Sequence, residues 1–265
     1  MKNLSVFAAA LAFGAAAFSL NASANETVSV GATPVPHAEI LEFVKPLLAK
    51  EGVDLKIVEF NDYVQPNLAT SDGQLDTNYF QHIPYLESFN KEHNLSLKVI
   101  TGVHIEPIAL YSKDKSVKSP ADIKEGGTVA IPNDPTNGGR ALLLLQKAGL
   151  ITLTDPKSIT STPLDIKDNP KNLQFKELEA AQTPRALGDV DAAVINTNYA
   201  IGAGLNPIKD AIFIEDKDSP YVNVLVGTEE SAQKAGVKAL AKVLNSKEVA
   251  DFINKKYNGA VVPAF

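Results

Sequence analysis

Two hydrophobic periods alternate along the 265-residue chain. Short apolar runs typical of buried strands precede stretches in which apolar residues recur every three or four positions, as in amphipathic helices. The helix predicted at residues 37–52 has its apolar stripe at Ile40, Leu41, Val44, Leu47 and Leu48. Strands are predicted at 27–33, 53–60, 95–102, 128–133, 173–178 and 191–198. Further helices are predicted at 84–94, at 140–149, at 183–187 and within the tail 231–257.

The strand–helix order predicts an α/β fold, in which mostly parallel sheets are flanked by helices and connected by right-handed crossovers. Two extended segments, at 102–112 and 210–228, interrupt this alternation. If the tail packs back on the first part of the chain, the chain crosses twice between two lobes, and the two crossings form a hinge beside a cleft. We therefore predict lobe 1 at residues 25–108 and 222–265 and lobe 2 at residues 109–221. A single doubly wound domain is the alternative.

The first 24 residues have the pattern of a cleavable signal peptide. The basic Lys2 is followed by an apolar run from Leu4 to Leu20 and by an A-x-A site at residues 22–24. Cleavage after Ala24 would release a periplasmic protein, and an uncleaved membrane anchor is the alternative. Cleavage is favoured because the run is rich in alanine, which inserts poorly into bilayers.

The chain contains no cysteine and has a formal net charge of −6. The lack of cysteine excludes disulfides, thiolate metal sites, thiol nucleophiles and lipid attachment through cysteine. An acidic chain disfavours nucleic acid as a partner, because nucleic acid binds basic surfaces. His82, His93 and His104 match no zinc motif, and no G-x-S-x-G nucleophile elbow occurs. These patterns predict that the protein is not an enzyme and has no metal or cofactor site.

The stretch NDPTNGGR, residues 133–140, joins a turn to the start of a helix. Helix N-termini bind anions through their free N–H groups and the positive end of the helix dipole. Neither a Walker loop nor a Rossmann fingerprint is present, which disfavours a nucleotide. In the first helical turn Arg140 would oppose the dipole unless an anion compensates, and its planar guanidinium suits a carboxylate bound bidentately. An exposed arginine on a helix is the alternative.

Aromatic side chains cluster at two places along the chain. Tyr63 lies in the loop after the strand 53–60, and Phe80, His82 and Tyr85 lie at a strand-to-helix junction. Ligands of α/β folds bind at the carboxyl ends of strands, so this cluster is a candidate pocket wall. Core packing explains the same residues equally well.

Three asparagines are candidates for polar recognition. Asn196 and Asn198 end the strand 191–198, and Asn223 stands inside an apolar strand, where a polar side chain needs a partner. An amide oxygen at such a place can accept a hydrogen bond from an ammonium group. Turn formation is the alternative for Asn198.

Four segments together resemble the NlpA/MetQ family of methionine-binding proteins of ABC importers. They are FNDYVQPN (60–67), DTNYFQHIPYL (76–86), IPNDPTNGGRALLLLQKAGLI (131–151) and DAAVINTNYA…SPYVNVLV (191–226), and they occur in order and with family-like spacing. The resemblance implies a two-lobed type II periplasmic binding protein fold, whose lobes are joined by a two-stranded hinge and close over one amino acid. It also implies a monomer that delivers this ligand to the permease and ATPase of an ABC transporter.

The resemblance assigns roles to single residues. Arg140 resembles the family's carboxylate-binding arginine, with Asn137 beside it as a weaker candidate. Asn196 and Asn223 resemble the pair that fixes the polar end of the amino acid. The wall around the thioether is represented by Tyr63, Phe80, His82 and Tyr85. The implied ligand is L-methionine, and D-methionine, a methionine-containing dipeptide and another apolar amino acid are the alternatives.

One departure from the family concerns the membrane anchor. Family members usually carry a lipobox cysteine, whereas the matching place here reads LNASAN (20–25). Lipid anchoring is therefore not expected for this chain.

Overall fold

The structure is a computed structural model that describes residues 25–216 and 219–265. The predicted signal peptide lies outside these residues. The strands are β1 Glu26–Ala32, β2 Val53–Glu59, β3 Thr77–His82, β4 Lys98–Ile105, β5 Ala109–Tyr111, β6 Thr128–Pro132, β7 Thr152–Leu153, β8 Ile166–Asp168, β9 Gln174–Leu178, β10 Ala192–Ile195, β11 Ala211–Ile214, β12 Val222–Gly227 and β13 Val262–Pro263. The α-helices are α1 Glu39–Ala49, α2 Gln65–Ser71, α3 Ile83–His93, α4 Pro135–Lys147, α5 Thr183–Ala186, α6 Thr197–Gly202, α7 Ala235–Leu244 and α8 Lys247–Tyr257. None of the described helices is long and apolar enough to span a membrane.

The strands form two large sheets, each in its own lobe. The sheet of lobe 1 has six strands in the order β13-β4-β12-β3-β1-β2, and the sheet of lobe 2 has five in the order β11-β5-β10-β6-β9. The chain passes from lobe 1 to lobe 2 at residues 106–108, between β4 and β5, and returns between β11 and β12. The fold is thus the two-lobed α/β architecture with two crossings. The exact lobe bounds 25–108, 109–221 and 222–265 stay a prediction.

Both sheets are mixed, which corrects the prediction of mostly parallel sheets. β1 pairs in parallel with β2 and β3, and β6 pairs in parallel with β9 and β10. In contrast, β12 is antiparallel to β3 and β4, and β5 is antiparallel to β10 and β11. The double crossing causes this reversal, because β12 and β5 directly follow a crossing and begin at the cleft where their neighbours end. Hydrophobic periodicity does not report strand direction.

Each lobe has its own hydrophobic core. In lobe 1, α1 buries four of its five predicted stripe positions against the sheet, and Leu47 packs half-buried at the margin. In lobe 2, the buried Leu142 and Leu145 of α4 pack with Val129 and Ile131 of β6. Since α4 is held by this core, the side chains at its N-terminal end have a fixed position beside the cleft.

Three helical features differ from the sequence-based expectations. The short helices α2 and α6, of seven and six residues, were not predicted because one or two turns show no period. The predicted helical tail divides into α7 and α8, since the Ser246 side chain accepts a hydrogen bond from the Val249 N–H at 3.4 Å and starts a second helix. The helix predicted to follow Arg140 instead begins at Pro135.

Candidate ligand-binding site

One narrow cavity lies between the two lobes. Both lobes contribute to its wall. The lining residues from lobe 1 and the first crossing are Tyr63, Phe80, Gln81, His82, Tyr85, Glu106 and Asn223, and those from lobe 2 are Asn137, Arg140, Asn196, Thr197 and Asn198. All eight side chains predicted as site residues therefore surround one space.

The N-terminal end of α4 differs from the anion site that the sequence predicts. Asp134 caps the helix, and its carboxylate accepts a hydrogen bond from the Asn137 N–H at 2.9 Å, which occupies one of the free N–H groups. Arg140 lies in the second helical turn instead of the first. The two glycines serve packing, because a Cβ on Gly139 would lie 2.2 Å from the Ile159 carbonyl oxygen and one on Gly138 would lie 2.9 Å from the Pro132 carbonyl oxygen.

Arg140 is almost completely buried, with 2% of its surface exposed, and one edge of its guanidinium is already occupied. Its Nε donates to Glu215 at 3.0 Å and its Nη2 donates to the same carboxylate and to the Glu106 carbonyl oxygen at 2.7 Å. The Tyr221 ring covers the guanidinium, with its centroid 4.1 Å from Cζ. Nη1 makes no hydrogen bond to a described residue, so this nitrogen remains for a ligand. The bidentate partner of Arg140 is thus Glu215.

A chain of hydrogen bonds holds the amide of Asn196. Asn137 donates from Nδ2 to both Asp134 carboxylate oxygens at 3.0 Å, and its Oδ1 accepts from Asn196 Nδ2 at 2.8 Å. His82 Nε2 lies 3.0 Å from the same Asn137 oxygen. Both polar atoms of Asn137 are therefore used inside the protein. The Asn196 Oδ1 is buried and has no hydrogen-bond partner among the described residues.

The Asn223 amide is held through its oxygen, whereas the Asn196 amide is held through its nitrogen. Asn223 Oδ1 lies 3.0 Å from His37 Nε2, and Asn223 Nδ2 makes no hydrogen bond to a described residue. Asn223 belongs to β12, which begins at the second crossing, so its side chain reaches the cavity from the hinge. Asn196 and Asn223 consequently present different atoms to the same space.

The predicted aromatic cluster is both a pocket wall and part of a core. Tyr63, Phe80 and Tyr85 lie with their ring centroids 5.7 to 6.1 Å apart, and Tyr85 also packs on Phe89. His82 caps α3, since its Nδ1 accepts from the Tyr85 N–H at 3.1 Å. Burial lowers the pKa of His82 to about 3, helped by the charge of Arg140. The imidazole is therefore neutral at physiological pH.

Direct contacts between the lobes close the cavity. The Tyr63 hydroxyl of lobe 1 donates to Asn198 Oδ1 of lobe 2 at 2.6 Å, and the Tyr199 hydroxyl of lobe 2 donates to the Asn61 carbonyl oxygen at 3.2 Å. The Tyr63 and Tyr199 rings lie 5.0 Å apart. These contacts place the structure in a closed arrangement of the lobes.

A buried cluster beside the cavity was not predicted from the sequence. Glu106 Oε1 lies 2.7 Å from His104 Nε2 and 3.3 Å from His37 Nε2. Burial lowers the pKa of His37 to about 4 and that of His104 to about 3. Burial raises the pKa of Glu106, opposed by His37, Arg140 and the backbone N–H of Asn198.

The atoms of this cluster lie within 4.8 Å of one another, which is close enough for a shared divalent ion. The 2.7 Å contact between His104 Nε2 and Glu106 is a hydrogen bond, and each outer ring nitrogen has a hydroxyl partner, Thr33 for His37 and Tyr79 for His104. The histidine set considered from the sequence does not assemble here, since only His104 belongs to the cluster. The expectation of no metal site stays a prediction.

Three lining residues were missed by sequence reasoning about the site: Gln81, Glu106 and Thr197. For Asn198 the sequence left turn formation as the alternative to ligand recognition. In the structure this residue lies in α6. Glu106 carried a usable signal, because it is an acidic residue inside an apolar extended segment.

An α/β chain that crosses twice between two lobes and encloses a polar cavity at the crossings has the fold of the periplasmic binding proteins. Comparison with known proteins agrees with this class. The family model described as NlpA lipoprotein matches residues 28–265. The chain belongs to the NlpA lipoprotein family.

Relatives of known name are similar over most of their length. The probable D-methionine-binding lipoprotein MetQ of Pasteurella multocida (strain Pm70) is 44% identical over 250 residues, covering 94% of this chain and 90% of the relative. The D-methionine-binding lipoprotein MetQ of Escherichia coli (strain K12) is 49% identical over 215 residues, covering 80% and 79%. Among solved structures, a nutrient binding protein from Burkholderia cenocepacia bound to methionine is 45% identical, with a TM-score of 0.86, and covers 90% of this chain and 100% of that chain.

Proposed function

We propose that this protein is the substrate-binding protein of an ABC importer, that it binds L-methionine between its lobes and that it delivers the ligand to a permease and its ATPase. The observation that carries the proposal is the cavity between the lobes, where Arg140 Nη1 and the buried Asn196 Oδ1 make no hydrogen bond to a described residue and lie beside an aromatic wall. The names of the relatives support methionine as the ligand. We infer binding without catalysis.

The polar atoms of the cavity suit a zwitterion. Arg140 Nη1 would bind the ligand carboxylate, because the other edge of the guanidinium is held by Glu215. Asn196 Oδ1 would accept from the ligand ammonium, since a buried acceptor without a partner costs free energy until a donor reaches it. Asn223 would contribute to the same polar end, and Asn137 would act by holding Asn196.

The aromatic wall suits a thioether. Sulfur near ring edges gains about 0.3–1.5 kcal/mol per contact, and Tyr63, Phe80 and Tyr85 supply three rings at one side of the cavity. The imidazole of His82, whose lowered pKa keeps it neutral, adds one more uncharged ring to this wall. We assign this side to the ligand side chain.

The ligand class can be tested directly by calorimetry and native mass spectrometry. We expect L-methionine to bind, since the cavity offers polar atoms for a zwitterion and aromatic rings for a thioether. D-methionine, glycyl-methionine and leucine are the competing ligands to titrate in parallel. Native mass spectra of freshly purified protein should show bound methionine. A tighter D-methionine or dipeptide complex would replace the ligand in this proposal, and no binding of any of the four would refute it.

Lobe closure is the second part of the proposal, and Tyr63→Phe tests it. This change removes the hydroxyl that donates to Asn198 across the cleft at 2.6 Å. An ordinary hydrogen bond contributes about 0.5–1.5 kcal/mol, so affinity for the ligand should fall roughly three- to tenfold. Small-angle scattering of the ligand-free variant should show a larger radius of gyration. Tyr111→Phe is the matched control, because its hydroxyl has no partner among the described residues. Equal ligand affinities and equal radii of gyration for the two variants would contradict a role of Tyr63 in lobe closure.

Export and assembly complete the proposal. Residues 1–24 would be removed as a signal peptide after Ala24, and the mature protein would be a periplasmic monomer without a lipid, since the chain has no cysteine. Nucleic acid is not among the proposed partners. The intact mass of the protein purified from periplasm tests the cleavage site, and a mass that includes residues 1–24 would contradict it.

A further inference from the structure

The two ligand-facing asparagines are fixed in opposite orientations. Asn196 uses its amide nitrogen within the protein and leaves its oxygen unpartnered, whereas Asn223 uses its oxygen and leaves its nitrogen. For Asn196 the orientation follows from Asn137, whose own nitrogen is committed to Asp134. For Asn223 the orientation depends on which nitrogen of His37 carries the hydrogen.

The surroundings of His37 determine this hydrogen. Its Nε2 faces two oxygens, Asn223 Oδ1 at 3.0 Å and Glu106 Oε1 at 3.3 Å. Its Nδ1 faces the Thr33 hydroxyl at 2.7 Å, and a hydroxyl can donate as well as accept. A hydrogen on Nε2 bonds to Asn223 Oδ1 and lies close to Glu106 Oε1, and Thr33 then donates to Nδ1.

The opposite arrangement of the Asn223 amide conflicts with its neighbours. A rotated amide would place an NH₂ group against His37 Nε2, which would have to give up its hydrogen to accept. With Glu106 ionised, the bare nitrogen would then face its Oε1, so that two hydrogen-bond acceptors would meet in a buried place. His104 does not relieve this conflict, because its own Nε2 lies 2.7 Å from the same Glu106 oxygen.

We propose that His37 is a positioning residue for Asn223: it donates its Nε2 hydrogen to the amide oxygen and thereby directs the amide nitrogen of Asn223 at the carboxylate of the ligand. The inference rests on the proposed function, since it presupposes an amino-acid ligand. It makes the two asparagines complementary, with Asn223 as a donor for the carboxylate and Asn196 as an acceptor for the ammonium. His37 itself is 1% exposed and contacts the ligand only through Asn223.

The position of the hydrogen can be measured without any ligand. Long-range ¹H–¹⁵N NMR spectra of protein labelled with ¹⁵N-histidine distinguish the two neutral tautomers. The chain has four histidines, so single variants at the other three assign the signal of His37. We expect a hydrogen on Nε2 and a bare Nδ1. A hydrogen on Nδ1, or a bare Nε2 bound to a divalent ion, would overturn the proposal.

Binding measurements then separate positioning from general stability. We expect His37→Leu to weaken methionine binding about tenfold, and His37→Gln, whose NH₂ group can replace the Nε2 donor, to stay within about threefold of the wild type. The loss in His37→Leu should persist for 4-(methylthio)butanoate, which keeps the carboxylate, and should vanish for methioninol, which lacks it. Asn196→Leu is the matched control and should show the reverse pattern.

The outcomes distinguish this inference from the proposed function. An equal loss for all three ligands, or no loss, would overturn the positioning role of His37. If His37→Leu fails to fold, His37→Gln and the tautomer measurement still decide the question. If the wild type binds no methionine, the proposed function fails, while the NMR spectra continue to test the orientation of Asn223.

Discussion

Arg140→Ala should abolish tight binding, with a loss of about 3 kcal/mol or more, which exceeds a hundredfold in Kd. The change removes the only free guanidinium nitrogen that the cavity offers to a carboxylate in the part of the chain that the structure describes. It also leaves the Glu215 carboxylate, whose side chain is 18% exposed, without its bidentate partner. The cavity would then repel the ligand carboxylate that it now attracts. Calorimetry with methionine measures the effect.

The chain provides a matched control for this experiment. Arg185 is the second arginine of the sequence, and it lies exposed in α5 of the same lobe. Arg185→Ala should leave the affinity unchanged, and Arg140→Lys should lose most of it, because an ammonium group cannot hold Glu215 and a ligand in the same plane. Thermal unfolding verifies that each variant is folded. Methionine binding by Arg140→Ala at wild-type affinity would remove Arg140 from the carboxylate site.

Gly139→Ala should destabilise the protein by about 3 kcal/mol, the upper end of overpacking effects. A Cβ at this position would lie 2.2 Å from the Ile159 carbonyl oxygen and 2.5 Å from its carbonyl carbon, and these are backbone atoms that cannot rotate away. In a chain of this size the melting temperature should fall by roughly 6 to 12 °C. The shift of α4 would also displace Arg140, so ligand affinity should fall in the same variant.

Gly202→Ala is the matched control for Gly139→Ala. Gly202 also lies in a helix, but a Cβ there would meet no atom within 4 Å. We expect its melting temperature to equal or slightly exceed that of the wild type, since alanine is favoured over glycine in helices. Equal stability of the two variants would show that the segment around Ile159 moves aside, and would contradict the packing role of Gly139.

The sequence predicts the strand–helix order well because most elements are long enough to show their period. The apolar stripe of α1 and the alternating elements of both lobes are of this kind. Strand direction was wrong in part, since β12 and β5 derive their antiparallel direction from the crossings and not from their own residues. The short α6 was missed for want of a full period.

The candidate site was predictable where a residue stands out against its own surroundings. Asn223 stands in an apolar strand, and the aromatic cluster lies at and just beyond the ends of β2 and β3. The contacts that hold the site residues in place were not predictable, because they join distant parts of the sequence. Arg140 pairs with Glu215 across 75 residues, and His37 pairs with Asn223 across 186 residues. The expected bidentate partner of Arg140 was a ligand, and the structure gives that place to Glu215. The role of each lining residue toward methionine remains a prediction.

The place of β12 in its sheet has a consequence for how the chain folds as it is synthesised. β12 lies between β3 and β4, yet it follows the whole of lobe 2 in the sequence. Lobe 2 is one continuous segment, and its first and last strands, β5 and β11, are hydrogen-bonded neighbours, so it can fold as soon as it is complete. Lobe 1 must keep a gap in the middle of its sheet until residues 222–227 appear. Asn223 thus comes with the strand that completes lobe 1, and the full set of residues around the cavity exists only in a finished molecule.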